Sequence, residues 1–97
     1  MGHFGIKNQV LEEIFELAKK YEIKQVILFG SRARGDYKQT SDIDLATRGG
    51  NHTRFALAVE EQTSTLLKFD IVNLDGMVQE QLRQSIKEEG VVIYEEV

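Results

Sequence analysis

A chain of 97 residues, 41% hydrophobic and 29% charged, makes one folded domain spanning 1–97 and leaves no room for a second lobe to enclose a substrate. Its net charge of −4, with no long basic run, leaves no cationic footprint for nucleic acid, and the absence of cysteine excludes a disulfide framework or thiolate metal site. No stretch approaches the roughly 18 apolar residues of a membrane span and no secretory pattern opens the chain, so a cytoplasmic setting without membrane contact is expected.

Ile6, Val10, Leu11, Ile14, Leu17 and Ala18 fall at helical spacing, and Lys19-Lys20 close that stretch where positive charge suits a helix C-terminus. Gln25-Val26-Ile27-Leu28-Phe29 is short and apolar, and is halted by Gly30, so it reads as a buried strand ending in a turn. Without a Cβ, Gly30 takes backbone angles closed to other residues and lets a ligand approach the main chain. Ser31 adds a hydroxyl, and if Ser31 to Gly35 starts a helical turn, its free N–H groups form an anion site. The loop from Ser31 to Ser41 is long and polar, as functional loops commonly are.

Asp42-Ile43-Asp44-Leu45 follows. With a period of two, a strand puts both carboxylates on one face and both aliphatic side chains on the other. Adjacent carboxylates repel and raise each other's pKa unless a cation sits between them. Mg²⁺ is the expected cation, since it takes oxygen from one or two carboxylates together with substrate phosphates. Gly49-Gly50 then breaks the chain, and Asn51 or Thr53 caps a helix expected to reach about Leu66, with Phe55, Val59 and Leu66 on its apolar side.

Asp70 lies in Lys68-Phe69-Asp70-Ile71-Val72, alternating with Phe69 and Ile71, so it joins the other acids if its strand neighbours theirs. Asp75 is expected to cap a last helix carrying Val78, Leu82 and Ile86, which ends at Gly90 before a final strand over Val91 to Tyr94. The predicted order is helix, strand, strand, helix, strand, helix, strand. The combination of glycine bend, serine hydroxyl and three acids reads as a metal-dependent site for a nucleoside triphosphate. Its residual negative charge calls for nearby cations, and Arg32, Arg34 and Lys38 are the candidates for phosphate contacts.

Other residues have plainer readings. His3 and His52 lack a second histidine at ligand spacing and are read as surface or cap positions. Tyr37 is read as a partly exposed loop aromatic, Glu12-Glu13 and Glu60-Glu61 as solvated helix faces, and Ser41 as a residue that bonds the turn backbone ahead of its strand rather than a nucleophile.

Gly30-Ser31-Arg32-Ala33-Arg34-Gly35-Asp36, followed by Ser41-Asp42-Ile43-Asp44-Leu45, resembles the signature of the minimal nucleotidyltransferases of the DNA polymerase β-like superfamily. Phe69-Asp70-Ile71-Val72 is similar to that family's third acidic strand, and Ile86 through Tyr94 to its final helix and strand. The resemblance implies an α+β fold, a mixed sheet with helices packed on it. It also implies two Mg²⁺ ions on Asp42, Asp44 and Asp70, and transfer of a nucleoside monophosphate, AMP from ATP, to a hydroxyl with release of pyrophosphate.

In that family the small catalytic protein often accompanies an all-helical HEPN-type partner, which some members modify as antitoxins. A lone catalytic domain fits such an arrangement, because a partner or a second subunit must complete the acceptor site in a homo- or hetero-oligomer. The expected roles are phosphate binding by Gly30 and Ser31, metal bridging by Asp42 and Asp44, and activation of the acceptor hydroxyl at Asp70. Two other readings compete: a non-catalytic antitoxin that neutralises its partner by complex formation, and a transferase acting on a small molecule such as an antibiotic.

Overall fold

The structure, a computed structural model, describes residues 4–96. Eight elements follow in chain order: α1 (Asn8–Lys20), β1 (Gln25–Phe29), α2 (Ser31–Arg34), β2 (Ile43–Arg48), α3 (His52–Gln62), β3 (Phe69–Asn73), α4 (Glu80–Glu89) and β4 (Val91–Glu95). The strands form one sheet in the order β3-β2-β1-β4. β1 runs antiparallel to both β2 and β4, whereas β2 and β3 are parallel. This is the expected mixed sheet with helices packed on it.

Helical spacing explains α1: Val10, Leu11, Ile14, Leu17 and Ala18 are its buried residues, and they form one face. That face packs with Phe55, Ala58 and Val59 of α3 onto Val26, Leu28, Ile43 and Leu45 of the sheet. On the other side, Ile27, Phe29 and Ala46 pack against Leu74 and Ile86 beneath α4. Alternation within β1 therefore feeds both cores, which is why this inner strand is apolar from Val26 to Phe29. In β2 the alternation sends Ile43 and Leu45 to the α1/α3 side and Asp44 and Ala46 to the α4 side.

Three helix boundaries depart from the expectation. Ile6 is buried but lies before α1, whose N-cap is Lys7. The helix expected to reach Leu66 ends at Gln62, because the Thr63 hydroxyl donates to the Val59 carbonyl (2.7 Å) and Glu13 captures the Ser64 N–H (2.8 Å) and hydroxyl (2.6 Å). Glu13, read as solvated, is thus a tether, and Leu66 is fully exposed. The last helix starts at Glu80 behind Gln79, not at Asp75, whose carboxylate instead accepts the Gly49 N–H. Gly90 does follow that helix as its C-cap, with its N–H donating to the Ile86 carbonyl.

Candidate active site

β1 ends at Phe29, and Gly30 turns the chain with φ +75°. An L side chain is strained there, and a Cβ on Gly30 would collide with Asp44 Oδ2. Glycine is therefore required twice over, by its backbone angles and by the carboxylate against it. The next four residues make the single turn α2, with the Arg34 N–H donating to the Gly30 carbonyl (3.1 Å) and the Gly35 N–H to that of Ser31 (2.9 Å). Ser31 is half-buried at the start of that turn, where the first N–H groups of a helix have no partner within it.

The acids come from two strands. Asp44 is the register partner of Asp70 across the parallel β2–β3 ladder, so their side chains leave the same face one strand spacing apart, about 4.8 Å. Val72 and Ala46, two residues on from each acid, pack on the α4 side, which fixes that face as theirs. Asp42 is exposed and stands just ahead of β2, which begins at Ile43. Its placement differs from the strand position expected, and that freedom is set by the loop rather than by the sheet.

Electrostatics ties the three together. Burial pushes the Asp44 carboxyl above the ordinary carboxylate range, and the negative charges of Asp70 and then Asp42 push it further, against a weaker opposing pull from Arg34 and Arg32. Among the described residues, none of the three carboxylates accepts a hydrogen bond, and the ion pairs are those of Arg34 with Asp36 and Glu89. No group of three acidic or histidine side chains among the described residues already closes on one point at ligand distance. Two adjacent carboxylates and a third on a loop, all hard oxygen donors without an ion-pair partner among the described residues, are nevertheless a donor set suited to a divalent cation.

The cations expected near phosphate separate into three cases. Arg34 is exposed and pairs with Glu89 at 3.0 Å and Asp36 at 3.3 Å, linking α2 to the end of α4. Lys38 is exposed on the motif loop, its backbone N–H donating to Ser41 Oγ at 2.9 Å, so Ser41 does bond the turn backbone. Arg32 is a correction: its side chain is 1% exposed, and its guanidinium donates to the carbonyls of Phe4, Gln39 and Ser41, which leaves it facing the protein rather than a ligand. Tyr37, half-buried, lies against it with the guanidinium carbon 5.0 Å from the ring centroid.

Of the histidines, His3 lies outside the described residues. His52 opens α3, and its Nδ1 is 2.8 Å from the Thr47 hydroxyl. Burial lowers its pKa, with Asp75 opposing. A metal role is not built around it.

Comparison with known proteins places these residues in context. Residues 12–97 match the family model described as Polymerase beta, Nucleotidyltransferase. The chain is 34% identical over 97 aligned residues to "Putative protein adenylyltransferase MJ0604" of Methanocaldococcus jannaschii, covering 88% of this chain and 94% of that protein. A second protein of that organism described in the same words is 30% identical over 82 residues, or 80% of this chain and 84% of its own. A solved "putative minimal nucleotidyltransferase" is 30% identical with a TM-score of 0.63, over 84% of this chain and 86% of that one. A toxin-antitoxin crystal structure with AMP-PNP, at 22% identity, shares the fold with a TM-score of 0.68 over 89% of this chain and 73% of its own.

Proposed function

The chain belongs to the polymerase beta nucleotidyltransferase family, and from that premise we propose that it moves AMP from ATP to a hydroxyl on a partner protein, the partner being an all-helical HEPN-type toxin. The observation that carries the reading is the meeting of Asp44 and Asp70 on adjacent strands beside a glycine bend, with no hydrogen-bond or ion-pair partner for either carboxylate among the described residues. Relatives described as protein adenylyltransferases support a protein acceptor, and a toxin-antitoxin neighbour solved with AMP-PNP supports both ATP and the kind of partner.

Each residue then has a task. Gly30 leaves the space, and Ser31 with the first N–H groups of α2 supplies the donors, for the β and γ phosphates. Asp42, Asp44 and Asp70 would hold two Mg²⁺ ions, which when bound neutralise the carboxylates, polarise the phosphate and acidify the acceptor hydroxyl. Asp70, exposed at the sheet edge, takes the hydroxyl proton as the oxygen forms its bond to the α-phosphorus. The bond from that phosphorus to the oxygen bridging to the β-phosphate breaks, and the electron pair leaves with pyrophosphate. Arg34, whose charge reaches Asp44, and Lys38 on the motif loop are the cations assigned to that departing charge.

Intact-mass measurement of a co-purifying protein after incubation with this chain, ATP and Mg²⁺ tests the assignment. The partner is expected to gain AMP in discrete steps, and none when Asp44 is replaced by Asn. A complex that forms and neutralises the partner without any mass gain selects the non-catalytic antitoxin instead.

A further inference from the structure

Arg32 is the largest of the fully buried side chains and carries a charge. Burying an ionised group is costly unless its hydrogen-bonding capacity is met, and here carbonyls meet it. Nη1 donates to Phe4 O at 3.0 Å, Nη2 to Gln39 O at 3.2 Å and Ser41 O at 2.8 Å, and Nε to Ser41 O at 3.2 Å. Among the described residues it forms no ion pair. Tyr37 covers the guanidinium, and a Cβ on Gly5 would strike both that ring and Nη1, so the packing around it is tight.

The position of those carbonyls gives the arrangement its meaning. Arg32 follows Ser31 directly in α2, and Ser41 directly precedes Asp42. One planar fork therefore ties the phosphate-binding turn to the residue before the exposed acid, across a loop that Lys38 and Ser41 tighten with their own hydrogen bond. Asp44 and Asp70 are aligned by the ladder between β2 and β3, but Asp42 lies outside the strand and lacks that support.

We propose that Arg32 is a positioning residue which touches neither nucleotide nor metal, and which holds Asp42 in place through the Gln39 and Ser41 carbonyls. This rests on the assignment of Asp42 as a metal ligand. Lysine keeps the charge but is a point donor that cannot span carbonyls in a fixed fork, so Arg32→Lys separates shape from charge.

The test is Mn²⁺ binding in the presence of AMP-PNP, read from loss of the free-ion electron paramagnetic resonance signal, alongside amide hydrogen exchange. Groups that orient metal ligands typically change metal affinity about 10- to 100-fold when removed. Arg32→Lys is expected to weaken Mn²⁺ about tenfold and to speed exchange at residues 39–42. Tyr37→Leu, which only uncovers the guanidinium, should shift both in the same direction by less and keeps the test available if Arg32→Lys does not fold. Asn51→Ala, at the other end of the sheet, should lower the melting temperature and leave Mn²⁺ affinity unchanged, so loss of stability alone does not imitate the effect. Wild-type protein that binds no Mn²⁺ with AMP-PNP overturns the metal site itself. Wild-type protein that binds it, with both variants binding equally well, overturns the role of Arg32 alone.

Discussion

The two ends of the sheet are built from similar parts and used differently. At one end a glycine with positive φ, Gly30, abuts the carboxylate of Asp44. At the other, Gly49 and Gly50 also have positive φ, and Asp75 stands beside them. There the polar groups are matched within the protein: Asp75 accepts the Gly49 N–H, Asn51 Oδ1 caps the Arg54 N–H at 3.1 Å, the Asn51 N–H donates to the Tyr21 carbonyl at 2.9 Å, and His52 meets Thr47. At the acid end, three carboxylates have no such match among the described residues. A satisfied polar cluster is architecture, while an unsatisfied one stores repulsion that a ligand can relieve.

The largest expected effect comes from neutralising that repulsion. Asp44→Asn should cut AMP transfer by roughly a thousandfold, the equivalent of several kcal/mol of transition-state stabilisation, while keeping the fold. It should also raise the melting temperature of the ligand-free protein at pH 7. Because the folded-state pKa of Asp44 is raised, its favourable contribution to stability is present at low pH and lost as pH rises through the folded value. The gain from Asn should therefore shrink as pH falls through the carboxylate range. A wild-type protein more stable than the variant at pH 7 without added metal runs against this account.

Exchanging the glycines sharpens the contrast. Gly30→Ala and Gly50→Ala each force an L residue to positive φ, at φ +75° and +69°, and each meets an obstacle, Asp44 in the first and the Glu22 backbone in the second. Both should lose about 1–2 kcal/mol or more, seen as a fall of several degrees in melting temperature. Only Gly30→Ala should also abolish Mn²⁺ and AMP-PNP binding by the protein that remains folded. Equal retention of binding by the two would erase the distinction between the ends.

Smaller effects belong to the far end. Asn51→Ala removes a helix cap and should cost about 1 kcal/mol in denaturant unfolding, with transfer per folded molecule unchanged. The pKa of His52 is lowered from 6.5 by burial, so the stability it contributes is present above that value and is lost as pH falls. Between pH 7 and pH 5 the melting temperature should drop, and His52→Gln should flatten that slope. Acidification thus strains one end of the sheet while easing the other, and the two variants read the opposing trends separately.

Local pattern carried much of this into the sequence. The strand from Gln25 to Phe29 agrees at both boundaries with β1, because a short apolar run stopped by glycine is a local signal. Asn51 caps α3 as its residue type predicts. The alternation of Asp44 with Ile43 and Leu45 places the acid on the face away from the α1/α3 core, with both aliphatic residues at 0% exposure. Arg32, expected at phosphate, was misread, although the turn geometry carries a signal against that role. Along a helical turn Ser31 and Arg34 share a side, whereas Arg32 lies about 100° around, away from the face that Ser31 presents.

What the chain determined by itself is the set of alternating and helical faces and the placing of a glycine, a serine and three acids in order. These depend on neighbours within a few residues, where backbone geometry dictates direction. Tertiary structure decided that β3 lies parallel beside β2 and so brings Asp70 to Asp44. It also gave Asp75 to Gly49 instead of a helix cap, and turned Arg32 inward onto three carbonyls. Such choices turn on which distant donor or acceptor is nearest once the core has closed, and no local periodicity encodes that distance.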